Sequence, residues 1–220
     1  MTLNGIEAVI FDLDGTIVDS EPLHEAVFYD LFEELGHKDD HGIDFQKYYG
    51  TSDRAVWVDF TARYPQQQSI DDLLAWKQER FLELALVKKP VFPGVAGLVF
   101  DLAEKYIMGL ASGSRHEVIN AMLDMSGLNT AIPKMARVSS QDVVNGKPSP
   151  DIFLLAAEKI GVAPGKCCAI EDSVFGVTAA NEAGMKSIAI TNTFSGEKLS
   201  HAWQVVRDYE SIRRLLLDGF

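Results

Sequence analysis

The segment Phe11-Asp12-Leu13-Asp14-Gly15-Thr16 holds the residues of this 220-residue chain that are best arranged for chemistry. Residues two apart in an extended chain start out on the same side, so Asp12 and Asp14 leave the apolar run before them as a pair. Gly15 lets the backbone turn sharply straight afterwards. In an open parallel sheet, ligands bind beyond the carboxyl ends of the strands. Paired carboxylates there suit one as nucleophile and metal ligand and the other as acid and base. Two further readings stand beside that one: a turn whose aspartates cap the next helix, and a calcium loop. The calcium loop fits poorly, because Gly15 comes too early and the third acidic position is Thr16.

Composition narrows the choice. Twenty Lys and Arg against 32 Asp and Glu give a net charge of −12, and 47% of the residues are hydrophobic. Such a chain is not disordered, and its length suits one or two domains with a substantial core. No run reaches the roughly 18 to 20 apolar residues of a membrane-spanning helix. The acidic balance argues against nucleic acid or an anionic membrane as partner, yet it sits awkwardly with an anionic substrate. The first residues lack the basic region of a signal peptide. Cys167 and Cys168 are adjacent and form no disulfide framework, and the five histidines (24, 37, 41, 116, 201) show no paired metal-ligand spacing. A reduced, cytoplasmic protein is expected, either a monomer or a small homo-oligomer.

Four short apolar runs end in polar residues: Ala8 to Phe11, Ile107 to Ala111, Cys167 to Ile170 and Ser187 to Ile190. Each is too short for a helix and apolar on both faces, as strands of a covered parallel sheet are. Between them lie helical patterns. One is capped by Ser114, buries Val118, Ile119, Met122 and Met125, and stops at Gly127; another opens at Ser149-Pro150 and stops at Gly161. Strand and helix alternate from about residue 90 onward, which predicts βαβ units in a doubly wound α/β sheet. The stretch before Pro93 breaks that rhythm with three helices: Ser20-Glu21-Pro22 to Gly36, one capped by Ser52, and one opening at Ser69-Ile70-Asp71-Asp72 and reaching about Val87. The expected organisation is a catalytic core of residues 1–17 and 89–220 with an all-helical insertion at 18–88.

With its other motifs the chain resembles the haloacid dehalogenase superfamily, in the branch of β-phosphoglucomutase-like proteins and sugar phosphatases. Leu110-Ala111-Ser112-Gly113-Ser114 looks like that family's second motif, Gly146-Lys147-Pro148-Ser149-Pro150-Asp151 like its third, and Ile170-Glu171-Asp172-Ser173 like its fourth. The helical insertion is similar to the family's small cap. Four motifs in order span essentially the whole chain.

The resemblance implies a Mg²⁺-dependent phosphatase acting on a small phosphorylated metabolite such as a sugar or polyol phosphate. Asp12 is then the nucleophile that forms an aspartyl-phosphate, and Asp14 the acid that protonates the leaving group and later activates water. Asp12, Asp172 and the backbone carbonyl of Asp14 hold the ion; Glu171 either binds it directly or supports its water shell. A carboxylate attacking a phosphate meets like-charge repulsion, so nearby cations are required, and Lys147 supplies one. Ser112 and the amide of Gly113 are placed to donate to phosphate. An acid at position 14 points to phosphate esters, because departing halide needs no proton.

The cap sets specificity in this family. His24, Arg54 and Lys77 are its candidate substrate-facing residues, with exposed helical positions as the alternative for each. Trp57, Trp76 and Phe81 fit the core of the cap better than a substrate platform. A phosphomutase is the second reading, with a sugar phosphate as acceptor in place of water. Mutases of this type carry Val and a Thr-Asp-Thr run after the first motif, where this chain has Thr16 and Val18-Asp19-Ser20. A catalytically silent binding protein would have lost Asp12, Asp14, Lys147 or Asp172, and all four are present.

Overall fold

The four apolar runs are strands of one sheet in the structure, a computed structural model that describes residues 5–48 and 53–218. In chain order the elements are β1 (Ala8–Phe11), α1 (Glu21–Glu34), α2 (Asp53–Arg63), α3 (Ile70–Lys88), α4 (Val95–Ala103), β2 (Ile107–Ala111), α5 (His116–Ser126) and β3 (Arg137–Val138). They continue with α6 (Asp151–Ile160), β4 (Cys167–Glu171), α7 (Val174–Glu182), β5 (Lys186–Ile190), β6 (Gln204–Val206) and α8 (Tyr209–Arg213). The chain divides into two compact units, residues 1–19 with 91–220 and residues 20–90.

The first unit is a doubly wound α/β sheet of six parallel strands in the order β3-β2-β1-β4-β5-β6. Strand order reverses between β1 and β4, which is where an open α/β sheet forms its ligand crevice. β1 and β4 are buried along their whole length, as their unbroken apolar runs require. Ala8, Ile10, Cys167 and Ala169 of these strands join Phe153 and Ala156 of α6 and Ala179 and Ala180 of α7 in one core. β3 and β6 escaped the sequence reading because two and three residues are too few for a period to show.

Among its described residues the second unit holds helices joined by turns, and no strand. Ser69 accepts from the Asp72 amide and Asp72 reaches back to the Ser69 backbone, the capping box its sequence predicts. Phe28, Phe32, Trp57, Phe60 and Phe81 are buried, and Trp76 is half-buried. Ser52, expected to cap α2, lies outside the described residues. No helix among the described residues is long and apolar enough to cross a membrane.

One cap differs from expectation. The residue at the start of α5 is Arg115, with no side-chain cap, and the Ser114 hydroxyl is turned elsewhere. Gly127 and Gly161 do terminate their helices in the left-handed region, at φ 73° and 72°.

The core makes a stability prediction. Ile10 is wholly buried two residues before Asp12. Ile10→Val should lower the unfolding free energy by about 1 kcal/mol and Ile10→Ala by about 3 kcal/mol in urea titrations. Equal stability of the three proteins would place Ile10 outside the packed core.

Candidate active site

The register of the central strands carries three motifs to one edge. Phe11 lies beside Leu110 of β2 and Ile170 of β4, so Asp12, Ser112 and Glu171-Asp172 all emerge at the carboxyl ends. Backbone bonds extend this alignment past the strands: the Asp12 amide donates to the Ile170 carbonyl at 2.9 Å, and the Ser112 amide to Val138 at 3.0 Å.

Lys147 arrives from the loop before α6, after which Pro148 follows in the cis form. Its ammonium donates to Asp12 Oδ1 at 2.5 Å and to Glu171 Oε1 at 2.6 Å, and it lies 5.2 Å from the centre of the Phe153 ring. This is not the solvated lysine of a surface loop. Burial works against its charge, but Asp12 and Glu171 outweigh that and hold the ammonium above its ordinary range.

Asp12, Glu171 and Asp172 are all buried, and each offers a carboxylate oxygen within 4.8 Å of the others. Glu171 Oε2 accepts from the amides of Asp172 and Ser173 at 2.9 and 2.8 Å and from the Ser173 hydroxyl at 2.9 Å. These donors open α7, where the helix favours a negative charge. Thr16 donates to Asp172 Oδ1 at 3.4 Å, and the Thr193 hydroxyl also bonds that carboxylate. Two glycines make this packing possible. A Cβ on Gly15, whose φ is 74°, would collide with the Asp172 carboxylate, and one on Gly176 would collide with that of Glu171.

Three buried carboxylates face one ammonium, and the surplus negative charge shows in their titration. Burial raises Asp12 from 3.8 to about 8, against the pull of Lys147 and with the push of Glu171 and Asp14. Burial, with Glu171 and Asp12 as neighbours, also holds Asp172 well above the usual carboxylate range. A hard divalent cation would relieve that surplus, and the donors are all oxygen, so the residues present fit Mg²⁺.

Asp14 stands half-buried beside this cluster. Its Oδ2 accepts from the Ser114 hydroxyl at 2.7 Å and from the Ser112 hydroxyl at 3.3 Å. Gly113, between the two serines, is exposed. The loop is held from its other side as well: Asn192 donates to the Gly15 carbonyl at 2.8 Å and Tyr209 to the Thr16 carbonyl at 3.0 Å. The sequence reading placed Ser114 in the second motif but took its side chain for a helix cap, and it missed Asn192, Thr193 and Tyr209 as part of this region. Polar residues just after the apolar run of β5 were the available signal for Asn192 and Thr193; Tyr209 left none.

The three candidates in the helical unit lie in different settings. Lys77 is only 1% exposed, which rules out a solvated helical lysine. Its ammonium donates to Asp53 at 2.8 Å and to His24 Nδ1, and sits 5.1 Å from the centre of the Phe81 ring. His24 stacks on Phe81 at 4.3 Å between centroids. Arg54 is exposed and paired with Asp71.

Known proteins resemble this chain in sequence and fold. The family model for haloacid dehalogenase-like hydrolase matches residues 6–184. Protein SUPPRESSOR OF QUENCHING 1, chloroplastic, from Arabidopsis thaliana is 35% identical over 92% of this chain, which spans only 20% of that protein. Hexitol phosphatase B of Escherichia coli strain K12 is 32% identical over 84% of this chain and 83% of its own length. A crystal structure of β-phosphoglucomutase from Clostridium difficile, 26% identical, matches with a TM-score of 0.78 over 97% of this chain and 98% of that one. The chain belongs to the haloacid dehalogenase-like hydrolases, and its enzyme class is that of a phosphoric monoester hydrolase.

The charge surplus makes its own prediction. An acid whose value is raised by folding binds its proton more tightly folded than unfolded. Without added cation, the fold should therefore lose stability as pH rises between about 4 and about 8, the span of the Asp12 shift. Urea unfolding in a chelator checks the sign, and Asp172→Asn should flatten the slope. Stability that climbs across the same window would contradict the charge surplus.

Proposed function

We propose that the protein is a Mg²⁺-dependent phosphatase that hydrolyses a small phosphorylated metabolite, a sugar or polyol phosphate, through an aspartyl-phosphate on Asp12. The observation that carries this reading is Lys147 bridging Asp12 and Glu171 inside a buried carboxylate cluster that includes Asp172. Asp12, Asp172 and the Asp14 carbonyl are the proposed ligands. Glu171, with Oε2 taken by three donors and Oε1 by Lys147, supports the ion's water shell and fixes the lysine. When bound, Mg²⁺ would align the nucleophile and neutralise part of the phosphoryl charge.

The chain's own groups supply the rest. Lys147 holds the Asp12 carboxylate and offsets the repulsion between it and the incoming phosphate. Ser112 and the Gly113 amide donate to the phosphoryl oxygens. Attack by Asp12 breaks the bond from phosphorus to the ester oxygen, and Asp14 gives that oxygen its proton. Asp14 then takes a proton from water as the water oxygen attacks phosphorus, which releases phosphate and restores Asp12. A net charge of −12 supports a small metabolite over nucleic acid as the partner, and a cytoplasmic monomer or small homo-oligomer fits the composition.

The helical unit serves as the specificity cap in this reading. Lys77 holds His24 within it, and His24 is the cap residue for substrate hydroxyls or proton transfer. Arg54, exposed on α2, is available to a second anionic group only if it leaves Asp71. The name of the hexitol phosphatase relative supports a polyol phosphate. The likeness to β-phosphoglucomutase favours a phosphomutase as the second reading, since the same core residues serve both reactions.

Two measurements test the proposal. Phosphate release from an aryl phosphate should require Mg²⁺, and Asp12→Asn should reduce kcat by on the order of 10⁴ or more while keeping the native circular dichroism. Undiminished turnover in that variant would remove Asp12 as nucleophile. A panel of sugar and polyol phosphates, followed for both free phosphate and sugar-phosphate isomers, should show release without isomerisation. Interconversion of β-glucose 1-phosphate and glucose 6-phosphate would establish the mutase instead.

A further inference from the structure

Ser114 has the sequence position of a helix cap and does not act as one. α5 begins at His116 after Arg115, whose side chain makes no cap bond, and the His116 amide donates instead to Gln141 Oε1 at 2.9 Å. The Ser114 backbone is fixed on two sides: its amide donates to Ser112 Oγ at 2.9 Å, and its carbonyl accepts from the Ser140 amide at 3.3 Å. So held, its side chain reaches across 100 positions of sequence and donates to Asp14 Oδ2 at 2.7 Å. The neighbouring Ser112 hydroxyl is longer from the same oxygen, at 3.3 Å.

From this geometry we propose that Ser114 is a positioning residue for the Asp14 acid, an inference that rests on the phosphatase reading above. Its hydroxyl marks Oδ2 as the accepting oxygen of the carboxyl group, so the transferable proton belongs on Oδ1. The bond fixes the rotation of the Asp14 side chain, which a two-carbon carboxylic acid in a half-buried loop does not fix alone. Ser112 has a different task, because phosphate draws its hydroxyl away in the complex and leaves Ser114 as the donor that stays on Asp14. In the step concerned, Asp12 oxygen bonds to phosphorus, the bond from phosphorus to the ester oxygen breaks, and the Oδ1 proton passes to that oxygen. The products are an alcohol, a phosphorylated Asp12 and an ionised Asp14.

A positioning role for the acid has a signature that a merely structural role lacks. A leaving group that departs as a stable anion needs no proton, so misplacing the acid hurts poor leaving groups most. The test compares kcat/KM, which covers the steps up to departure of the leaving group, for an alkyl phosphate such as glycerol phosphate and for 2,4-dinitrophenyl phosphate. Ser114→Ala and Ser114→Gly should lose about 10- to 100-fold on the alkyl ester, a part of the roughly 10²- to 10⁴-fold worth of general acid catalysis. Their loss on the dinitrophenyl ester should be at least about tenfold smaller. Ser114→Thr, which keeps the hydroxyl, should recover most of the alkyl-ester activity. Ser112→Ala should lower both substrates alike. Equal losses on the two esters in the Ser114 variants, or no loss on either, would overturn the proposal and leave the phosphatase reading standing. A wild-type protein that releases no phosphate from either ester would overturn both.

Discussion

Everything near the site depends on burying three carboxylates around one ammonium. Ionised groups taken out of water cost several kcal/mol each unless their partners are close and well placed. Lys147 meets that need for Asp12 and Glu171, and the opening turn of α7 meets it for the other Glu171 oxygen. Asp172 accepts from the hydroxyls of Thr16 and Thr193. The cluster is therefore left with more negative charge than its surroundings balance. That imbalance is a cost to the fold and an affinity for a cation, two aspects of one electrostatic fact.

The architecture serves this constraint. Parallel neighbours β1, β2 and β4 end level with one another, so residues more than 150 positions apart meet without any reaching. Glycine appears where two acidic side chains need the space a Cβ would fill, at positions 15 and 176. Asn192 and Tyr209 bond the carbonyls of Gly15 and Thr16, which fixes the loop between Asp12 and the next element. The helical unit solves a similar problem on its own scale: Lys77 is buried against Asp53 and between aromatic rings.

The tension between an acidic chain and an anionic substrate is resolved at this level. Net charge is a sum over the surface, and most of the chain's 32 carboxylates stand in solvent, screened beyond about 10 Å. Within the site the count is different, since a divalent cation held by the buried carboxylates would, together with Lys147, offset the negative charge that they carry. Global charge bears on solubility and on which macromolecules approach. Local constellation decides the ligand.

The four ordered motifs and the strand and helix periods were legible in the sequence, because each is a local pattern of residue types. The burial of β1, β2, β4 and β5 follows from unbroken apolar runs, and the capping box at Ser69 from its spacing. Local patterns also misled. Ser114 reads as a helix cap because its neighbours have helical period, whereas the fold turns its hydroxyl to the Asp14 carboxylate in the loop after β1. Lys77 reads as a substrate-facing or exposed lysine because its neighbours three and four positions along the helix, Leu73, Leu74, Arg80 and Phe81, include no acid; Asp53 and His24 come from other helices. The short strands β3 and β6 exist only because longer neighbours offer them an edge. Sequence thus determined which chemical groups the chain has and the order in which strands and helices present them. Tertiary structure decided which of those groups are desolvated together, because burial and Coulomb energy depend on distances that no local pattern encodes.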